Sequence, residues 1–161
     1  MKPVFQSRLK ELLSLIDESY SARAWHGTNL RGSIRGITAR EASRRPAPGR
    51  HNIWEIVVHC AYWKYIVRRR ILGEKKGSFP LEGSNWFRRP LDPSESAWKR
   101  DIALLFRCHR EMLQAIQTLG DLSLRRKPGG SRVSNAAIIR GIASHDVYHA
   151  GQIQLIKRLI R

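Results

Sequence analysis

His145 and His149 stand four residues apart in the run HDVYHAGQ. On an α-helix, positions i and i+4 share a face, so the two imidazoles converge on one point in space. A third ligand would complete a half-shell around a cation. His59 is the best candidate, because it falls between Ile56 and Trp63 on the apolar stripe of another helical segment. Neutral imidazole ligates zinc, nickel or iron, and three protein ligands leave a position for water or substrate. Hydrogen-bonded core histidines are the competing reading of the same pattern, and spacing alone leaves the two open. The other histidines are less well placed. His26 and His51 sit in loop-like sequence, and His109 shares the buried stripe of a third helical segment, from which it could approach a site built between facing helices. Cys60 follows His59 directly and points about 100° away around the helix, which argues against it as a co-ligand.

Four segments carry the helical periodicity that must position these groups. Phe5, Leu9, Leu12, Leu13, Ile16 and Tyr20 form the first stripe, with Pro3 suited to its opening turn. Asn52 and Glu55 make a capping box for the second, which continues through Ile56, His59, Trp63, Ile66 and Arg70 to Gly73 and predicts a helix over 53–72. The third starts after Pro93 with Ser94 as cap, places Trp98, Ile102, Leu105, His109, Met112 and Ile116 on one face, and stops at Gly120. The fourth runs from about Ser134 almost to the end, its stripe reading Ile138, Ile142, His145, His149, Gln152 and Ile156. Gly141 and Gly151 lie inside it, each costing about 1 kcal/mol relative to Ala, and close packing is the expected reason for them.

No segment shows the sustained alternation of a strand, so the expected fold is all-α, a four-helix bundle that buries the four stripes together. The connections are long. Thr38 and Glu41 form a second capping-box pattern in the first, which predicts a short extra helix. The second connection holds Phe79, Trp86 and Phe87 and is expected to cover one end of the bundle and wall the site.

At 161 residues and 42% hydrophobic content the chain is expected to form one domain, 1–161. It lacks an apolar run of the ~18 residues a membrane span needs, and MKPVFQSRLKELL lacks a signal-peptide centre, which predicts a soluble, cytoplasmic protein with no membrane partner. Two cysteines inside helical patterns, Cys60 and Cys108, read as reduced core residues. The net charge of +17 favours anionic ligands by steering. The basic residues are scattered, with no nucleic-acid-binding motif around them, so they read as a solvated surface and no specific nucleic acid is expected.

The stretch NIWEIVVHCAYW, followed far downstream by HDVYHAGQIQLIKR, resembles the DinB/YfiT-like superfamily of metal-binding four-helix bundles. That resemblance covers most of the chain. It implies His59, His145 and His149 as ligands of one divalent ion per chain, nickel or zinc, with water completing the shell, and a bundle whose second and third long helices run in the same direction. It also implies a homodimer. Some relatives are thiol S-transferases using bacillithiol or mycothiol, one is a mycothiol-dependent isomerase, and many have no assigned reaction. The expectation is therefore a metal-dependent enzyme of the thiol S-transferase or hydrolase type with a small-molecule substrate, the alternative being a noncatalytic, metal-stabilised dimer whose basic surface binds an acidic partner or nucleic acid. An anionic low-molecular-weight thiol would suit the positive surface as cosubstrate. No catalytic residue is assigned. Gln152, one turn beyond His149, is the candidate for orienting a bound ligand, ahead of Asp146 and Tyr148, which point elsewhere on the helix.

Overall fold

Side-chain caps start the helices, and those at Thr38, Asn52, Ser94 and Ser134 stand where the sequence placed them, while the first long helix is capped at Ser7. A computed structural model of the protein describes residues 7–161, and among these every ordered element is helical: α1 (Arg8–Tyr20), α2 (Leu30–Ser33), α3 (Ala39–Ser43), α4 (Ile53–Leu72), α5 (Glu95–Gln117), a 3-10 turn (Asp121–Arg125) and α6 (Asn135–Ile160). Pro3 and Phe5 lie outside the described residues. Ser7, Asn29, Thr38, Asn52, Ser94 and Ser134 each accept a backbone N–H of the first turn of their helix. Each such cap contributes about 1 kcal/mol. Both predicted capping boxes close reciprocally, Thr38 with Glu41 and Asn52 with Glu55. Gly73 ends α4 at φ 68°, a left-handed position that a residue with a Cβ adopts only under strain.

The four long helices bury their stripes in two adjoining clusters. One gathers Tyr20, Trp54, Val57, Trp98, Leu105 and Ile153 with α2 and α3, and the other gathers Ile16, Val67, Met112, Ile116, Leu124, Ile139 and Ile142. Trp63 packs against both. Burying a side chain of this size stabilises the fold by roughly 1.5–3 kcal/mol. The single-stripe reading of α4 is too narrow: thirteen of its twenty residues are buried, because α3, α5 and α6 all pack on it. A helix covered on most faces shows little amphipathic contrast in its sequence.

Two expectations need adjusting. Gly141 and Gly151 are exposed, and among the described residues a Cβ built on either would meet nothing within 4 Å, so close packing does not explain them. Of the three large residues in the connection after α4, only Trp86 lies against the histidines. Phe79 and Phe87 pack on Tyr62 instead, with ring centroids 5.3 and 5.5 Å away.

Candidate metal centre

His59 on α4 and His145 and His149 on α6 face one another across the helix pair that forms the core of the site. Nε2 of His145 lies 3.1 Å from Nε2 of His59 and 3.1 Å from Nε2 of His149. The far nitrogens of the outer two rings are held. Nδ1–H of His59 donates to the carbonyl of Asn85 at 2.8 Å, and Nδ1–H of His149 donates to Oε1 of Gln152 at 2.7 Å. A neutral imidazole protonated at Nδ1 carries its lone pair on Nε2. Two lone pairs therefore point at Nε2 of His145, and the single proton of a neutral His145 ring can satisfy one of them at most.

Protonation does not fill the gap. Burial pushes the pKa of all three rings down: His145 to about 3, with His149 and His59 adding to the effect, and His149 to about 4, with His59 contributing. His59 is lowered by burial too, partly opposed by its bond to Asn85. At neutral pH the cluster presents three uncharged donors to one point, the donor set that zinc and similar divalent ions take. Ligating histidines commonly give their second N–H to a carbonyl or side-chain oxygen, and His59 and His149 both do so. Nδ1 of His145 is buried without a partner among the described residues.

The connection after α4 shapes one wall. Asn85 adopts φ 63°, which turns its carbonyl toward His59 while its side-chain oxygen accepts Nε1–H of Trp63 at 3.0 Å. Asparagine tolerates that left-handed conformation better than most residues. The indole of Trp86 stacks on His59 at 3.9 Å between ring centroids, and His51 stacks on the other side of Trp86 at 3.7 Å. His51 is in turn held by Glu55, which also takes Arg45. Burial raises the Glu55 carboxyl, but hydrogen bonds from Arg45, His51 and the Arg89 amide outweigh it and hold the pKa below the usual range.

The remaining candidates are distributed as follows. Gln152 orients His149, and its amide donates to the hydroxyl of the exposed Tyr148 at 3.1 Å. Asp146 points away from the triad into the core, where it pairs with Lys64. His109 does not reach the site; it stacks on Tyr20 at 3.4 Å. Cys60 comes nearer than its helical position suggested: its sulfur, a His145 ring nitrogen and an Asp146 oxygen lie within 4.8 Å of one another. Complete burial, with Asp146 adding to it, pushes the thiol pKa well up, which keeps Cys60 protonated and a poor ligand. Cys60 and Cys108 are both free and buried. Of the three residues expected to wall the site Trp86 alone does so, while Asn85, His51 and Lys64 carry no signal in the sequence that marks them for the site.

A family model described as DinB superfamily matches residues 23–153, a span that includes all three histidines. The chain belongs to the DinB superfamily. Membership covers the all-helical architecture, and the buried histidine cluster of this DinB-like domain is able to hold a metal ion. No curated protein and no solved structure matches the chain. Among the described residues, no helix is long and apolar enough to cross a membrane.

Proposed function

We propose that His59, His145 and His149 hold one divalent ion, nickel or zinc, and that the protein is a metal-dependent enzyme of the thiol S-transferase or hydrolase type. The observation that carries this reading is the convergence of three Nε2 atoms, two of them with tautomers fixed from behind by Asn85 and Gln152. The ion would supply Lewis acidity, drawing the proton from a coordinated water or thiol near neutral pH. His145 is the least buried of the three, so the open position belongs on its side. Trp86 covers the face of His59 on the opposite side and excludes water there. The positive surface steers an anionic thiol or other anionic substrate inward.

A cobalt-substituted sample tests the open position. Addition of a small thiol, azide or hydroxamate is expected to shift its visible absorption, and His59→Ala to abolish the shift by losing the metal. A spectrum unmoved by all three ligand types would mean a closed, structural site. Conjugation of a thiol to an electrophile should then also fail to depend on the metal.

In this reading the architecture is a four-helix bundle of the DinB/YfiT type and the chain is a homodimer. Tyr148, Leu155 and Leu159 support the dimer: they are about 60% exposed and recur along α6 at seven- and four-residue steps. Leu155→Glu is expected to convert the dimer to monomer in size-exclusion chromatography with light scattering.

A further inference from the structure

Between α4 and α6, on the side of His145 away from Gln152, lies a groove of about 240 Å³ bordered by Trp63, Arg70, Val133, Ile138, Gly141 and His145. Its walls are apolar for most of their length. From Trp63 to Arg70 is seven residues along α4, about 10 Å or two helical turns. Arg70 is half-buried at the far end, and among the described residues it makes no ion pair, whereas Arg68 two positions earlier holds both Glu74 and Glu111. Val133 leaves an apolar side chain exposed on the same rim.

Gly141 adds an independent observation. It stands in the middle of a 26-residue helix, where glycine costs about 1 kcal/mol relative to alanine. Neither packing nor backbone geometry asks for it: among the described residues nothing lies within 4 Å of the position its Cβ would take, and its φ is not left-handed. Any side chain there would project into the space the groove occupies. A residue unfavourable to its helix and unneeded by its neighbours is explained if the open space itself is used.

We propose that this groove binds the organic part of the substrate: an aryl or short alkyl group lying between the helices, with its reactive end at the histidine cluster and a carboxylate or similar anion paired with Arg70. The inference rests on the metal-site reading for the reactive end only; the groove and its cation belong to the chain itself. Gly141 stands seven residues before Tyr148 and shares its face of α6, so the groove adjoins the end of the exposed stripe of Tyr148, Leu155 and Leu159, none of which borders it.

The test uses 4-phenylbutyrate and its uncharged analogue 4-phenylbutanol, titrated into the full chain by ligand-observed NMR, with metal content measured on the same samples. The carboxylate is expected to bind about fivefold more tightly than the alcohol, as a partly exposed charge pair gives. That preference should persist after metal removal and vanish in Arg70→Gln, with metal content unchanged. Gly141→Leu should abolish binding of both compounds, while Gly141→Ala retains it. Equal affinity for the two compounds, a preference that survives Arg70→Gln, or unimpaired binding to Gly141→Leu would each overturn the proposal. So would a Gly141→Leu variant that changes oligomeric state and leaves probe binding intact, since the groove would then be a contact between copies. Probe binding to a chain that takes up no metal would sink the metal-site reading and leave the groove standing; metal uptake with no probe binding would do the reverse.

Discussion

Lys64 Nζ and Asp146 Oδ2 lie 2.5 Å apart where α4 crosses α6, with side chains 0% and 1% exposed. Burial raises the Asp146 carboxyl pKa, and the Lys64 ammonium opposes the rise. The second carboxylate oxygen has no partner among the described residues. Asp146 is the direct neighbour of His145, so the pair ties together the two helices that carry the histidine cluster.

Breaking this pair from one side strands a buried charge. Asp146→Ala is expected to cost about 3–5 kcal/mol in urea unfolding. The double variant Lys64→Met with Asp146→Leu should come within about 1 kcal/mol of the parent, because two apolar side chains need no compensation. If register is the pair's role, that stable double variant should bind cobalt at least ~10-fold more weakly. Unchanged cobalt affinity would confine the pair to stability.

Protein purified without chelator is expected to carry one divalent ion per chain, and His145→Ala to lose most of it. A saturating ion at about 100 times its dissociation constant should stabilise the fold by about 2.7 kcal/mol over the chelator-treated form. Elemental analysis finding no zinc, nickel, iron or manganese, with no uptake of added metal, would remove the site.

Acid sensitivity of the metal-free protein follows from His109. Burial, with a smaller effect of Lys64, lowers its pKa from 6.5 to about 2. Below 6.5 the unfolded chain takes up a proton that the folded chain refuses. The stability from keeping this ring neutral is therefore whole above pH 6.5 and declines as the pH falls toward 2. Each such histidine contributes a slope of at most about 1.4 kcal/mol per pH unit. His109→Gln should flatten the plot of unfolding free energy against pH between 6 and 4 by about that amount. Parallel plots for the two proteins would show that His109 protonates in the folded state.

Gly151 is exposed on α6 with open space around its Cβ direction. Gly151→Ala is expected to raise stability by up to ~1 kcal/mol. A loss of stability instead would place a close neighbour, such as a second copy, on that face.

Binding to unrelated duplex DNA should be weak and fade steeply between about 50 and about 200 mM salt, the behaviour of scattered surface cations. Sequence-selective binding that survives at the higher salt would show that the charge of +17 is organised for recognition.

What the sequence determined by itself was local. Capping boxes at Thr38 and Asn52, the glycine stop at Gly73 and the i, i+4 pair His145 and His149 each lie within a few residues, and backbone geometry alone converts such spacings into contacts. His59 could be nominated because it fell on an apolar stripe, but whether it met the other two depended on a contact spanning 86 residues. The short helix α2 and the 3-10 turn gave no periodic signal, being too brief to show one. Only the tertiary structure decided that Asn85 would turn its carbonyl to His59, that Trp86 would stack there, that Lys64 would meet Asp146, and that Gly141 would face open space. Those relations depend on how α4 and α6 cross and where the long connection folds back. The packing of whole helices sets both, and no pattern within one segment encodes it.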